Sequence, residues 1–213
     1  MSESPELFIT AIHVPADSEF SAVASWDYYK IHQLVSKGYT NPRNARILFR
    51  FDIEGDAGIL FIQSRSEPDW SPLDPSLRSL IVGPRKLDLP LLEPGIRLRF
   101  RLLARPSKRV GDKLSQYRGR RRPLITEQEQ RDWLDRKAEA HGFSVEQCIL
   151  SERVWYDSKK GDTLFNGMPK PIVGIQFDGT LAVARPIIFR EAVSSGIGSQ
   201  KAYGFGLLSI APV

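Results

Sequence analysis

Apolar residues recur with two different periods along the first half of the chain, one typical of strands and one typical of helices. Strand patterns occupy residues 7–14, 45–54, 57–65 and 96–104. Helical spacing is clear over residues 26–37 and weaker near residues 76–82. The resulting order, β-α-β-β-(α)-β, is the ferredoxin-like arrangement.

The second half shows a similar succession of patterns. A helix is predicted from Thr126 to about His141, because Thr126 and Glu129 have the spacing of a capping box. Another helix is predicted at residues 186–194, where a proline suits the first turn. Strands are predicted at residues 146–156, 172–178, 180–184 and 205–211. The order is again roughly β-α-β-β-α-β, if the region at 96–110 is shared or a strand is displaced.

We therefore predict an α+β protein made of two tandem ferredoxin-like (RRM-like, βαββαβ) domains. The N-terminal domain is expected over residues 1–110 and the C-terminal domain over residues 124–213, joined by a basic linker at residues 111–123. A chain of 213 residues with 41% hydrophobic residues can supply two cores of this size.

The composition indicates in which cellular compartment the protein works and which kinds of site it lacks. The single cysteine, Cys148, cannot form an internal disulfide, and no Cys/His spacing suggests a zinc site. No apolar run approaches the roughly 20 residues needed to cross a bilayer. The acidic, polar start of the chain is unlike a secretory signal. We expect a cytoplasmic protein with no metal and no cofactor.

Positive charge is concentrated in one stretch, although the net charge of the chain is only +5. Residues 97–123 contain eleven lysines and arginines and one acid, Asp112, so this stretch carries +10 and the remainder −5. Bases on an ordinary solvated surface are usually accompanied by acids, so the asymmetry predicts a polyanionic partner. A solvated basic loop with no partner is the alternative.

A glycine-rich loop is predicted near the C-terminus, within the segment SGIGSQKAYGFGLLSIAP. Its glycines follow the pattern G-x-G-x₅-G-x-G at Gly196, Gly198, Gly204 and Gly206. Glycine permits positive φ and lets backbone N–H groups approach phosphates closely. The spacing differs from the dinucleotide-binding fingerprint, and the loop precedes a predicted strand. Lys201 within it is a candidate phosphate contact, and a tight connection in a compact domain is the alternative.

This glycine pattern closely resembles the signature loop of the CRISPR-associated precursor-RNA endoribonucleases, the CasE subunits of type I-E Cascade. Other stretches agree with that family: YYKIHQ at 28–33, LFRFD at 48–52, QSRSEPDW at 63–70, RRPLITEQEQRDWL at 121–134 and LSER at 150–153. The resemblance covers nearly the whole chain in order. It implies that the glycine-rich loop packs where the two domains meet and supports an RNA.

The resemblance makes Tyr29 and His32 the candidate catalytic residues, and their i, i+3 spacing on the predicted helix places the two side chains close together. RNA is cleaved when its 2′-hydroxyl attacks the adjacent phosphorus. Histidine can act as base or acid in that reaction, tyrosine can orient a group, and lysine can stabilise charge. The resemblance implies active-site roles for Tyr29 and His32, and Lys37 is the best match to a lysine implicated in some members. His13 and His141 are expected to be structural.

Basic residues of the linker and neighbouring loops are candidates for RNA contact, since double-stranded RNA is recognised mainly by shape and phosphate charge. The candidates are Arg105, Lys108, Arg109, Lys113, Arg118, Arg120, Arg121, Arg122, Lys159, Lys160 and Lys201. Which of them reach the RNA is left open at this level.

The resemblance implies a metal-independent endoribonuclease that binds the hairpin of CRISPR repeat RNA. It would cut the precursor at the base of the stem, leave a 2′,3′-cyclic phosphate, and retain the CRISPR RNA alongside other Cascade subunits, being a monomer when free. A non-catalytic RNA-hairpin-binding module is the main alternative. A metal-dependent nuclease is disfavoured because no carboxylates cluster at a useful spacing: Asp52, Glu54 and Asp56 lie at a predicted hairpin turn and are expected to be solvated.

Overall fold

The computed structural model describes two four-stranded antiparallel sheets with helices packed on them. The described residues are 6–15, 28–54, 57–109, 121–156, 164–165, 168–169 and 171–213. Among these, no helix has the length and apolar character required of a membrane span.

The first unit has the predicted ferredoxin-like order. It contains strands β1 (Leu7–Val14), β2 (Leu48–Glu54), β3 (Ala57–Ser64) and β4 (Ile81–Leu87) and helices α1 (Tyr28–Ser36) and α2 (Pro75–Arg78). The strands are arranged β2-β3-β1-β4, and every neighbouring pair is antiparallel. Ile31 and Val35 of α1 are each 1% exposed, which confirms the predicted apolar stripe of that helix.

The second unit repeats this topology. It contains strands β5 (Arg97–Ala104), β8 (Phe143–Tyr156), β11 (Pro171–Val183) and β12 (Leu208–Pro212) and helices α3 (Glu127–Ala140) and α4 (Pro186–Ser195). The order β12-β5-β11-β8 is the first sheet's order with β5 in the place of β1. Two short hairpins complete the described elements: β6 (Ser107–Arg109) with β7 (Arg121–Pro123), and β9 (Leu164–Phe165) with β10 (Met168–Pro169).

The strand predicted at 96–104 does not close the first sheet. It is β5, which pairs with β11 and β12 of the second sheet. Its place in the first sheet is taken by β4, which pairs with β1 and comes from residues 66–95, a stretch rich in proline to which no strand was assigned. β4 escaped prediction because its burial does not alternate with a period of two and it contains Gly83-Pro84. The predicted domain limits at residues 110 and 124 assumed that residues 96–104 complete the first sheet. Because this strand pairs in the second sheet, the strand pairing argues for a boundary within residues 88–96.

Two further elements differ from the sequence prediction. The strands expected at 172–178 and 180–184 form the single strand β11. Gly179 lies inside β11, and a Cβ there would sit 1.9 Å from the carbonyl oxygen of Gln147. This glycine permits a close approach of β8, and does not mark a turn. The weak helix near 76–82 is only the short α2, capped by Asp74, because β4 begins at Ile81.

The two hydrophobic cores share residues across the units. Leu7 and Leu89, which precede β5, pack in the core of the second unit. Leu103, Ile172 and Phe205, which come from the second unit, pack in the core that contains α1. The units are therefore joined by apolar packing as well as by the chain.

Replacing Thr126 by alanine should lower the free energy of unfolding by about 1 kcal/mol. The Thr126 side chain accepts a hydrogen bond from the N–H of Glu129 at 3.3 Å, and the Glu129 carboxylate accepts one from the N–H of Thr126 at 3.4 Å. Urea denaturation measures the loss. Thr126→Ser, which keeps the hydroxyl, should retain most of the stability, and equal losses in both variants would contradict the capping role.

Candidate active site and nucleic-acid interface

Helix α1 presents His32 beside its buried face. His32 is half-exposed, and its imidazole stacks on the ring of Phe49 with centroids 6.5 Å apart and planes inclined by 29°. Phe49 belongs to β2 and is 1% exposed, so the histidine rests against a fixed aromatic surface while remaining accessible. Lys37 is exposed in the turn after α1. Tyr29 lies one turn before His32 in α1, and its side chain is outside the described part of the structure.

The glycine-rich loop closes on itself between α4 and β12. Ile197 donates its N–H to the carbonyl oxygen of Gly206 at 2.8 Å, and Gly206 donates its own to Leu103 at 2.7 Å. A Cβ at Gly196 would lie 2.7 Å from the oxygen of Gly206, and one at Gly206 would lie 2.8 Å from the oxygen of Ile197. The φ angles of Gly196, Gly198, Gly204 and Gly206 are 73°, 92°, 78° and 92°. Both the conformation and the close backbone contact require glycine.

The loop and α1 come together at the junction of the two units. The loop contains a single 3₁₀ turn, Lys201–Tyr203, which lies against both α1 and β2. Phe205 is completely buried in the core that also contains Ile31 and Phe49. The helix that carries His32 and the loop that carries Lys201 therefore lie in contact, and we take them as the two walls of the candidate site.

Lys201 is at the centre of a group of cations that the sequence pattern did not reveal. Burial lowers the pKa of its ammonium group, and the charges of Arg46 and Lys137 lower it further against the opposing effect of Glu191. Burial also lowers the pKa of His141, with further contributions from Lys137 and Lys201. Like charges held together in a partly buried place favour an anionic ligand.

Sequence reasoning did not anticipate that Arg46 and Lys137 would lie near Lys201, or Lys201 near His141. Arg46 lies in the loop before β2, whereas Lys137 and His141 lie four residues apart at the end of α3, and no local motif connects any of them with Lys201. Lys137 lies over the ring of Trp133 at 6.0 Å, and that ring is 3.4 Å from the position a Cβ would take at Gly198. Only the packing of α3 under the loop brings these groups together.

The basic stretch begins in β5 and ends in β7, and four of its cations lie in the β6–β7 hairpin. Lys108 is paired across the strands with Arg122, and Arg109 with Arg121. All four side chains are exposed, and like charges placed directly opposite one another are destabilising unless a counter-ion lies nearby. The Glu129 carboxylate, 3.4 Å from Lys108, offsets part of this repulsion. A phosphate backbone would offset the remainder.

Arg105 connects this hairpin to the glycine-rich loop. Its guanidinium donates to the side-chain oxygen of Gln200 at 3.1 Å. The loop therefore contacts both α1 and the residue that leads into the hairpin. The other predicted RNA-binding residues, Lys113, Arg118, Arg120, Lys159 and Lys160, lie outside the described residues.

The architecture and these loops can be compared with known proteins. Residues 7–212 match the family described as CRISPR associated protein. The chain is 33% identical over 196 residues to the CRISPR-associated endoribonuclease Cse3 of Thermus thermophilus, a match that covers 86% of this chain and 90% of that protein. The chain belongs to the Cse3 family of CRISPR-associated proteins.

Further relatives support the same membership. The CRISPR system Cascade subunit CasE of Escherichia coli is 29% identical over 199 residues, covering 89% of this chain and 94% of that protein. The structure of Thermus thermophilus Cse3 bound to an RNA representing a pre-cleavage complex gives a TM-score of 0.79 at 27% identity, covering 97% of this chain and all of that one. The tandem ferredoxin-like fold is thus shared with Cse3.

In this Cse3 family member, two of the three arginines of β5 are paired with acids. Arg97 pairs with Glu146 at 2.8 Å, and Arg101 pairs with Asp178 at 2.6 Å and with Asp52 at 3.1 Å. The expectation that Asp52 is solvated was wrong. Its side chain is 7% exposed because β2 faces β5 of the second unit, where arginines enclose the carboxylate. Asp52, the acid of that predicted turn whose side chain the structure describes, is therefore already neutralised by arginines.

Gly206→Ala should destabilise the protein more than Gly95→Ala. The two glycines have similar φ angles, 92° and 89°, but a Cβ at Gly95 would meet nothing within 4 Å, whereas one at Gly206 would meet a backbone oxygen. The positive φ costs about 1–2 kcal/mol in both variants, and the forced contact should add about 1–3 kcal/mol in Gly206→Ala. Urea denaturation of the pair measures the difference, and equal losses would refute the close-contact explanation.

Proposed function

We propose that this protein is a metal-independent endoribonuclease that cuts precursor CRISPR RNA at the base of each repeat hairpin. The observation that carries the proposal is the meeting of α1, with His32, and the cationic glycine-rich loop, with Lys201, beside an exposed basic hairpin. A relative named as an endoribonuclease and a related structure described as a pre-cleavage RNA complex support it.

The cleavage needs no external reagent. The 2′-oxygen forms a bond to the adjacent phosphorus while the bond from phosphorus to the 5′-oxygen breaks, which leaves a 2′,3′-cyclic phosphate and a 5′-hydroxyl. One proton must leave the 2′-hydroxyl and one must reach the departing 5′-oxygen. His32 transfers a proton at one of these two oxygens. Tyr29 orients the reacting group, and Lys37 and Lys201 stabilise the additional negative charge of the phosphorane.

The same surface accounts for retention of the product. The β6–β7 hairpin and Arg105 hold the stem through its phosphates, and cleavage at the base of the stem does not remove those contacts. The protein then acts in a single turnover and stays with the CRISPR RNA. A relative named as a Cascade subunit supports assembly with other Cascade subunits. We place the protein in the cytoplasm, where the precursor RNA is made.

His32→Ala should reduce the cleavage rate of the cognate hairpin RNA in EDTA by about 10²–10⁴-fold, the range expected for loss of a general acid or base. Single-turnover kinetics at saturating protein measure the rate. His13→Ala is the matched control and should cleave normally, because His13 is exposed on β1 outside the core that α1 covers. Undiminished cleavage by His32→Ala would remove this residue from the mechanism. Binding without cleavage by the wild type, even with added divalent metal, would support the binding module.

Binding of the hairpin RNA should weaken with salt because it rests on phosphate contacts. About five contacts predict a slope of log K against log salt concentration near −4. Arg109→Gln combined with Arg122→Gln should reduce the magnitude of this slope by about 1.4–1.8. Arg97→Gln combined with Lys86→Gln is the control, since both side chains are paired with acids away from the hairpin. Equal slopes in the two double variants would contradict a role for the hairpin.

A further inference from the structure

Residues 63–70, QSRSEPDW, form a segment that contacts both walls of the proposed site; we call it the bridging segment. Its first residues hold the end of α4. The Gln63 amide, on a residue 5% exposed, donates to the carbonyl oxygen of Val193 at 2.9 Å. Arg65 Nη2 donates to Glu191 Oε1 at 2.8 Å. α4 leads directly into the glycine-rich loop, so these contacts fix where that loop begins.

Arg65 makes additional contacts at the same place. Its Nη2 also lies 3.0 Å from Ser194 Oγ and 2.8 Å from Ser195 Oγ, the last two residues before Gly196. A guanidinium at the C-terminal end of a helix also meets the negative end of the helix dipole. Burial alone would raise the pKa of Glu191, but the hydrogen bonds from Ser195 and Arg65 hold it below its usual value. The carboxylate therefore remains charged and keeps Arg65 in position.

The other end of the bridging segment supports the end of α1. Asp69 donates its N–H to the carbonyl oxygen of Gly38 at 2.9 Å. The Trp70 ring lies under Gly38 so closely that a Cβ there would be 2.4 Å from it, and Tyr39 packs edge-on against the ring at 5.9 Å. Gly38 directly follows Lys37, so the indole determines where α1 ends and where that lysine emerges.

One short segment thus reaches two elements that come from different ferredoxin-like units. We infer that the bridging segment sets the position of the glycine-rich loop relative to His32, and that Arg65 is the positioning residue of this connection. The inference rests on the proposed function, because it assigns the connection a purpose in that reaction. Arg65 touches the last residues of α4, from which the loop starts, and no reacting atom, so it acts only through the loop.

A positioning role for Arg65 can be distinguished by measurement from a general contribution of Arg65 to folding stability. The Arg65–Glu191 pair is partly open to solvent, with side chains 27% and 60% exposed, and such pairs contribute little to folding. A displacement of about 1 Å at a reacting group can nevertheless reduce a rate by about 10²-fold. Loss of Arg65 should therefore affect cleavage far more than folding or RNA affinity.

The test compares Arg65→Gln with Arg65→Lys and with the control Arg97→Gln, which breaks a comparable ion pair far from the loop. Three quantities are measured: the single-turnover cleavage rate, the affinity for a hairpin RNA carrying a 2′-deoxy group at the cleavage site, and the thermal midpoint. Arg65→Gln should cleave about 30–100-fold more slowly. Its affinity and thermal midpoint should match those of Arg97→Gln. Arg65→Lys should recover a part of the rate, because one ammonium can reach some of the same oxygens.

A readout independent of cleavage separates this inference from the proposed function. The chain has only three histidines, so the imidazole NMR signals of His13, His32 and His141 can be followed individually. Arg65→Gln should shift the His32 signal and leave that of His13 unchanged. A shifted His32 signal with no cleavage by the wild type would refute the proposed function and keep the connection. An unshifted signal, a normal rate, or parallel losses of rate, affinity and stability would overturn the positioning role.

Discussion

Burial of the glycine-rich loop against the first ferredoxin-like unit is the interaction on which the site depends. Phe205 has no exposed surface, and the next residue, Gly206, donates to Leu103 at 2.7 Å. A fully buried phenylalanine contributes roughly 1.5–3 kcal/mol, which offsets the backbone entropy lost on ordering about two of the loop's residues. Because Ile31 of α1 packs in the same core, the loop and His32 are held by one apolar framework.

A buried ionic network makes this junction specific. Asp52 of β2 pairs with Arg50 at 2.8 Å and with Arg101 of β5 at 3.1 Å, and its side chain is 7% exposed. Such a network adds little net stability, but a displacement that separates its partners leaves a buried charge unpaired at a large cost. Apolar packing alone would tolerate sliding of one unit over the other. The network therefore restricts the arrangement in which the glycine-rich loop meets α1.

Much of the candidate site follows from local sequence. Thr126 starts α3 with the predicted capping box, and α1 forms with its predicted apolar stripe, since both depend on residues within one or two turns. Glycine-specific backbone geometry was likewise readable at Gly206, because φ is a property of one residue. Other parts were not readable. Alternation predicted β5 as a strand but assigned it to the wrong sheet, and β4 has no alternation by which to find it.

The sequence by itself determined the two ferredoxin-like patterns, the i, i+3 spacing of Tyr29 and His32, and the concentration of positive charge. Tertiary structure alone decided which of those cations are paired with acids and which are accessible to a ligand. The sequence shows that a residue is charged, but it does not show which acid lies opposite it in the fold. It also decided that Lys201 would lie near cations from distant elements, and that Arg65 would contact the end of α4 where the loop begins. These features depend on contacts between residues far apart in the chain, and periodicity within a segment carries no information about them.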